Sequence, residues 1–348
     1  MRITAPLSLT ALAAVGLLLA GCAAGAPTET EQPAEPTADG TFTLYSGRDE
    51  ALVQPLIDQF EAASGIEVEV RYGNTAELGA LLLEEGDATP ADVFLSQDAG
   101  ALGALSQAGL FTALPDDIAD AVPAGFTSTD ASWVGITGRA RVVVYDGDEF
   151  TADELPDTID AYVTDEWNGR IGVAPSNASF QSFVTAQRVL DGEDAAAEWL
   201  AALAANDPQI FEGNTPILTA VNEGVVDAGL INHYYWFRAA AEVGAENMRA
   251  QLKFLAAGDA GSIVNVTGAG ILSPAVDDAD ALEFVRYLIS LDAQTYFVEQ
   301  TFEYPLVAGV DAPEGLPSLE SLVNPELDLS DLDDLATTQQ LLADAGLI

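Results

Sequence analysis

Residues 41–75 read TFTLYSGRDEALVQPLIDQFEAASGIEVEVRYGNT, and the hydrophobic period changes twice along them. Phe42 to Tyr45 reads as a strand and Ser46-Gly47-Arg48 as a loop. From about Asp49 to Ala63 the spacing predicts a helix, because Leu52, Leu56 and Phe60 recur on one face. Ile66, Val68, Val70 and Tyr72 then alternate as a second strand, and Gly73-Asn74-Thr75 breaks the chain and caps a helix carrying Leu78, Leu81 and Leu82. Asp92 to Leu95 and Ala99 to Ala108 repeat the strand-then-helix order. Strands alternating with helices of this length imply an α/β fold, mostly parallel with crossover helices.

The same rhythm continues beyond residue 140. Arg141 to Tyr145 is a β-branched run, Ile171 to Ala174 a short strand, and Val225 to Ile231 another. Phe180 to Leu190, Ala195 to Ala205 and Thr215 to Val221 read as helices, the last with Pro216 in its first turn. Residues 146–165 are acidic and loop-like, 328–334 alternate Leu with Asp, and Thr337 to Ala345 reads as a closing helix. Ligands of open α/β sheets bind beyond the carboxyl ends of the strands, where helix N-termini gather. The loops expected there are 46–50, 73–75, 96–98, 137–139, 175–179, 213–216 and 232–235.

The N-terminus reads as an export signal. Arg2 precedes an apolar run from Leu7 to Ala20, too short for a comfortable membrane span. Leu19-Ala20-Gly21-Cys22 resembles a bacterial lipobox, in which cleavage precedes a cysteine that becomes lipidated. Cys22 is the sole cysteine, so no intrachain disulfide or thiolate metal site is available. Residues 23–40 lack core formers and read as a flexible tether. The expected location is outside the cytoplasm, lipid-anchored on the outer face of the cytoplasmic membrane. Residues 41–348 suffice for two domains of ordinary size.

Fifty-six acidic residues oppose eleven basic ones, a formal charge of −45. That surface repels nucleic acid and anionic lipid. With 49% hydrophobic residues the chain still has ample core, so the acidity belongs to the surface. It reads as adaptation to salt or to an acidic-proteome lineage, with attraction of cations as the alternative. His233 is the only histidine, which rules out a three-histidine zinc site and the zincin motifs. No Gly-x-Ser-x-Gly elbow, dinucleotide loop or Walker loop occurs.

Against that background, Ile231-Asn232-His233-Tyr234-Tyr235-Trp236-Phe237-Arg238 stands out. A phenol titrates near ~10, so it ligates a metal well only when a strongly polarising cation holds it as phenolate. Oxygen donors suit hard cations, and ferric iron is acidic enough to do this near neutral pH. The competing reading is a pair of aromatics packed at a strand end.

Five segments together resemble the bacterial periplasmic ferric-ion-binding proteins: Tyr45-Ser46-Gly47-Arg48, Pro90 to Phe94, Gly138 to Tyr145, Asn232 to Trp236, and Glu303-Tyr304-Pro305-Leu306. They fall in order over essentially all of 41–348. The resemblance implies a type II periplasmic-binding-protein fold, with two lobes of mixed sheet joined by a two-strand hinge and a ligand cleft between them. On this reading 1–22 is signal peptide, 23–40 tether, 41–137 and 265–310 one lobe, 138–264 the other, and 311–348 a C-terminal helical segment. The implied function is capture of Fe(III), or of a small ferric chelate, for an ABC permease. The implied protein is a monomer and not an enzyme, with a synergistic anion, carbonate or phosphate, beside the iron.

Carried over residue by residue, Tyr234 and Tyr235 fall on the family's paired tyrosine ligands. Adjacent residues lie about 100° apart on a helix, so both phenols reach one ion only at a helix start or in a loop. Arg139 falls on an arginine that some members use for carbonate. Asn177-Ala178-Ser179 falls on an anion-binding loop before a helix, where helix capping is the alternative. Asn214 and Asn232 are further anion candidates, Asn214 being equally a good N-cap. Arg48, in the same first loop as Asp49, is a candidate to bind an anion and not the iron. The chain departs from the family at Asp49, where many members have histidine, at Gln97, where they have glutamate, and at Asn177, where others have a third tyrosine. Asp49, Glu50, Gln97, a bidentate anion or water is therefore left to complete the iron shell. Three other readings use the same residues: import of an organic or phosphorylated anion with the tyrosines as pocket walls, iron sensing without transport, and a hydrolase built on Asp49 and Asp98.

If Cys22 carries the lipid, Cys22→Ala releases the protein from the membrane or stalls its processing. Membrane fractionation and intact mass check this, and no change in either contradicts it.

Overall fold

The structure, a computed structural model, describes residues 38–322 and 327–348. Cys22, the lipobox and nearly all of the expected tether lie outside them. The tether's last residues are already fixed, since the backbone N–H groups of Asp39 and Gly40 donate to the Asp280 carboxylate at 2.9 and 2.8 Å.

The chain begins with β1 (Thr41–Ser46), α1 (Glu50–Ser64), β2 (Glu67–Tyr72), α2 (Thr75–Glu85), β3 (Val93–Ser96), α3 (Ala99–Gln107) and a short α4 (Asp116–Ala119). Asp49 and Asn74 cap α1 and α2 through their side chains, and Asp98 caps α3. There follow β4 (Val134–Asp146), β5 (Ile171–Val173), α5 (Ala178–Asp191), α6 (Glu193–Ala205), β6 (Gln209–Ile210), α7 (Asn214–Asn222), β7 (Ala228–Asn232), α8 (His233–Val243) and β8 (Ala250–Lys253). The chain closes with β9 (Val264–Ile271), α9 (Ala279–Leu288), α10 (Leu291–Tyr296), β10 (Tyr304–Pro305), α11 (Leu319–Leu322) and α12 (Leu335–Asp344).

β4 organises the molecule. Its residues Val134–Ala140 pair with β9 in a sheet ordered β2-β1-β3-β9-β4, while Arg141–Tyr145 pair with β7 in a sheet continuing through β5 and β6. The crossover units β1–β2, β1–β3, β5–β7 and β5–β6 are parallel, as the alternating pattern implies. β4 runs antiparallel to β7, β8, β9 and β10. The chain therefore passes between the two halves along β4 and again between β8 and β9.

Residues 137–139 were expected as a loop, and they lie inside this thirteen-residue strand instead. Gly138 gives the false signal. It sits where a Cβ would meet Tyr304 Cβ and Val264 Cγ1 at 3.3 Å, so the glycine serves close packing of strands and not a turn. Asp146–Asp165 contains short 3-10 segments at Ala152–Glu154 and Ile159–Val163. β8 and β9 carry no clear sequence signal, because β8 is only four residues, Ala-Gln-Leu-Lys, and the alternation of β9 is diluted by Gly, Asn and Thr.

Each half has its own packing. Phe42, Phe60 and Phe284 pack with ring centroids 5.1–6.3 Å apart under β1. Val142, Val144, Ile217, Val221 and Ile231 form the core between the second sheet and α7. The C-terminal segment touches both halves. A 3-10 helix, Leu329–Asp333, lies on α3, and α12 lies on α5 and α6. Between them Asp334 caps α12 and accepts from Arg188 of α5 at 2.8 Å, while Thr338 bonds Thr185 at 2.7 Å.

The fit on α3 is tight. A Cβ on Gly100 would stand 2.7 Å from the carbonyl oxygen of Leu332, a backbone atom with little freedom to retreat. Gly100→Ala is expected to lift the C-terminal segment and cost about 1–3 kcal/mol, read as a lowered urea midpoint. An unchanged midpoint would show that the segment adds little to stability.

Candidate functional site

The site is built on one face of β4. Residues two apart on a strand point the same way, so Thr137, Arg139 and Arg141 form a polar row through the centre of the molecule. All three are buried. At Thr137 the hydroxyl donates to Glu303, and the Glu303 carboxylate also takes the Nη2 donor of Arg48 from the loop after β1. Glu303 and Arg48 are both buried, so this is an interior ion pair. Its backbone is set by Phe302, which adopts the left-handed region at φ 58° without being glycine.

At Arg139, Nη2 donates to the Val266 carbonyl at 3.0 Å, while Nε and Nη1 find no partner among the described residues. Asp98 lies close enough to act on Arg139 electrostatically. Its carboxyl is held above the usual range by burial, with Arg139, backbone N–H groups and Ser182 of α5 opposing. Asp98 thus links the first half of the fold to the second.

At Arg141, Nη1 reaches Ser179 Oγ and Asn214 Oδ1 at 3.2 Å and Asn232 Oδ1 at 3.4 Å, and Nη2 donates to the Leu230 carbonyl at 3.0 Å. Asn177 caps α5 through the Ser179 amide, accepts from the Ser179 hydroxyl at 2.6 Å, and accepts from Asn214 Nδ2 at 3.3 Å. Three of the expected anion residues, Ser179, Asn214 and Asn232, therefore gather around one guanidinium, with Asn177 beside them. That guanidinium belongs to Arg141 and not to Arg139. The sequence left Arg141 inside a β-branched run, although alternation from Arg139 places it on the same face. Asn214 does not cap α7; Gly213 holds the cap position, which frees the Asn214 side chain for this cluster.

Tyr234 and Tyr235 occupy the first turn of α8, the one place on a helix where neighbours can converge. Their rings stack with centroids 4.3 Å apart and planes 26° apart, so the phenols leave the backbone on a common side. The turn is pinned across β4 by His233, whose Nδ1 accepts from the Ala140 N–H at 3.1 Å while Nε2 lies 2.9 Å from the Phe302 carbonyl. Accepting at Nδ1 fixes the proton on Nε2. Burial lowers this imidazole to about 4, so it is neutral at physiological pH and structural. Burial, then the neighbouring Tyr235, push the Tyr234 phenol well above its ordinary value, while Arg48 and Arg139 oppose. Arg48 and Arg141 both lie in electrostatic range of the two tyrosines.

Asp49 and Gln97 stand at the edge of this arrangement. Together with Arg48, Glu50, Tyr72, Asn74, Asn177 and Ala178 they line a cavity of about 270 Å³ with walls from both halves of the fold. Asp49 is exposed and its carboxylate accepts from the Ala51 amide. Among the described residues no three His, Cys, Asp or Glu side chains cluster closely enough to hold a metal.

A family model described as bacterial extracellular solute-binding protein matches residues 88–327. The Fe(3+)-binding periplasmic protein of Serratia marcescens is 32% identical over 90% of this chain and 92% of its own length. The major ferric iron-binding protein of Neisseria meningitidis is 33% identical over 88% of this chain and 93% of its own. The chain belongs to the bacterial periplasmic ferric-ion-binding proteins. Solved structures agree with this family assignment. Iron-bound HitA from Pseudomonas aeruginosa superposes with a TM-score of 0.83 at 31% identity, covering 88% of this chain and 99% of that one. A Trichodesmium protein in complex with iron and citrate ligands gives 0.76 at 30% identity, over 88% and 99% of the two chains. The fold is the type II periplasmic-binding-protein fold, and the family is one of solute-binding transport proteins, not enzymes. No described helix is long and apolar enough to cross a membrane.

Glu303 carried no chemical signal of its own in the sequence, yet it is the sole hydrogen-bonded anion of Arg48 among the described residues. Glu303→Gln leaves that guanidinium buried without a counter-charge and is expected to cost roughly 3–5 kcal/mol, measured by chemical denaturation. A cost below 1 kcal/mol would mean that solvent or Tyr234 already balances Arg48.

Proposed function

We propose that this protein captures Fe(III) between its lobes through Tyr234 and Tyr235, and delivers it to an ABC permease. The carrying observation is the stacked tyrosine pair, sited at a helix start and faced by Arg48, Arg139 and Arg141. In a chain of this family, that pair is the donor set best suited to a hard trivalent ion. A buried phenol with a raised pKa stays protonated until a strongly polarising cation displaces its proton, and nearby guanidiniums help hold the resulting phenolate.

Two tyrosinates leave the coordination sphere incomplete. Carbonate or phosphate at Arg141, with the Ser179 hydroxyl, Asn214, Asn232 and the amides of Ala178 and Ser179, would sit beside them and finish it. Asp49 and Gln97, at the cavity edge, are the protein groups that lobe closure would add. We take the lobes as 41–137 with 265–310 against 138–264, with 311–348 packed across both. Export as a monomer tethered through a lipid on Cys22 suits delivery to a permease in the same membrane.

Ferric loading is expected to give a visible phenolate-to-iron charge-transfer band. Tyr234→Phe and Tyr235→Phe should each keep the fold, lose most of the band, and weaken ferric affinity roughly 100-fold, about 2.7 kcal/mol. Both variants staying coloured with native affinity would make the tyrosines pocket walls. The Arg141 cluster would then be the receptor for an organic or phosphorylated anion.

A further inference from the structure

The chain's one histidine ties the start of α8 to two distant backbone groups, one on either side of its ring. His233 is fully buried. On one side Nδ1 lies 3.1 Å from the Ala140 N–H. Ala140 is the last residue of β4 in register with β9, and Arg141 already pairs with Asn232 of β7. The imidazole therefore supplies the acceptor for a buried N–H at the point where the strand changes sheets. On the other side Nε2 lies 2.9 Å from the Phe302 carbonyl. A carbonyl oxygen only accepts, so Nε2 carries the ring proton and Nδ1 is left to accept. One neutral tautomer satisfies both ends. A histidine serving only to fill space would need neither.

Phe302 is also where α8 rests on the first half of the fold. Its ring stacks on Phe237, with centroids 6.2 Å apart and planes 26° apart. Phe237 follows His233 by four residues and shares its helix face. The helix is thus seated on Phe302 twice, by the imidazole on the carbonyl and by Phe237 on the ring. The next residue, Glu303, binds Arg48 and Thr137. Tyr234 and Tyr235 leave the same first turn as His233, and Arg48 acts on both electrostatically. The tyrosines come from the second half and Arg48 from the first. Phe302 and Glu303 are the short link between them.

We infer that His233 is a positioning residue, whose Nε2–H bond to Phe302 registers the tyrosine turn against the Arg48–Glu303 pair. This rests on the ferric reading above and adds to it a side chain that need not touch the iron. The two ring nitrogens have different tasks. Nδ1 fixes the turn to the strand switch, and Nε2 ties it to the other half, so that the phenols keep their place relative to Arg48.

The two bonds can be removed separately. Asparagine carries its amide oxygen on Cγ, where Nδ1 stands, so His233→Asn keeps the Ala140 acceptor and loses the Phe302 donor. Glutamine carries its amide nitrogen one atom further, where Nε2 stands, so His233→Gln keeps the Phe302 donor and loses the Ala140 acceptor. Phe60→Leu, in the remote aromatic core under β1, serves as a variant weakened in stability alone. The full chain, purified in detergent, is loaded with ferric iron, and loss of the visible band to excess EDTA gives the release rate. His233→Asn is expected to release iron about tenfold faster than His233→Gln, a difference of about 1.4 kcal/mol, with a displaced band maximum. Phe60→Leu should release like the parent chain. If neither His233 variant folds, Phe237→Leu carries the test, and release faster than from Phe60→Leu supports the inference. Equal release from His233→Asn and His233→Gln, or from Phe237→Leu and Phe60→Leu in the second case, overturns it and leaves ferric binding standing. No band in the parent chain overturns ferric binding itself, and the inference with it.

Discussion

A buried guanidinium must be answered by negative charge or hydrogen-bond acceptors, and this molecule buries Arg48, Arg139 and Arg141 in one place. Glu303 answers Arg48 directly, Asp98 answers Arg139 across a gap, and only neutral oxygens answer Arg141. The balance is incomplete within the chain itself. Burying unpaired charge in this way destabilises a fold, and such a cost persists where a ligand supplies the remaining charge. The tyrosines extend the same logic. Burial holds the Tyr234 phenol well above its ordinary value, and on the proposed reading the two phenols would become the anionic partners of the arginines once a trivalent cation displaces their protons.

The architecture makes this charge balance sensitive to closure. Arg139 and Arg141 lie where β4 leaves one sheet and joins the other, so they stay near the axis about which two lobes would turn. Arg48, Asp49 and Gln97 come from loops of the first sheet, and Asn177, Ala178 and Ser179 from the helix start beyond β5. Arg48, Asp49 and Gln97 of the first set and Asn177 and Ala178 of the second line one cavity. Asp98 with Ser182, and the C-terminal segment lying on both α3 and α5, hold the halves together from the side. On the proposed reading, ligand charge at the centre and polar contacts at the edge would favour the same closed state.

Much of this was readable from the sequence, for reasons that differ by element. The strand–helix alternation of 41–108 is strongly periodic, and the elements appear where their apolar residues recur. The tyrosine pair's position was readable, because an apolar strand ending at Asn232 places both residues at the start of the next helix. Arg141 was hidden by its neighbours, since Val142-Val143-Val144 makes the run look purely structural. Gly138 made a continuous strand look like a loop, which gave Arg139 a loop arginine's role and obscured its shared face with Arg141. Glu303 and Asn265 depend on pairing between segments more than 100 residues apart in the chain, and local pattern holds no trace of that. On the proposed reading the coordination partners beyond the tyrosines form no compact motif, because part of the shell would come from a ligand.

The account turns on the claim that both phenols become iron-bound phenolates at this site. Resonance Raman spectroscopy of the ferric-loaded protein, excited within its visible band, tests that directly. The account predicts enhanced tyrosinate ring vibrations that halve in intensity when either Tyr234 or Tyr235 alone is isotopically shifted or removed. A loaded protein whose visible spectrum carries no tyrosinate vibrations would contradict it, and would place the iron on carboxylates and exogenous ligands alone.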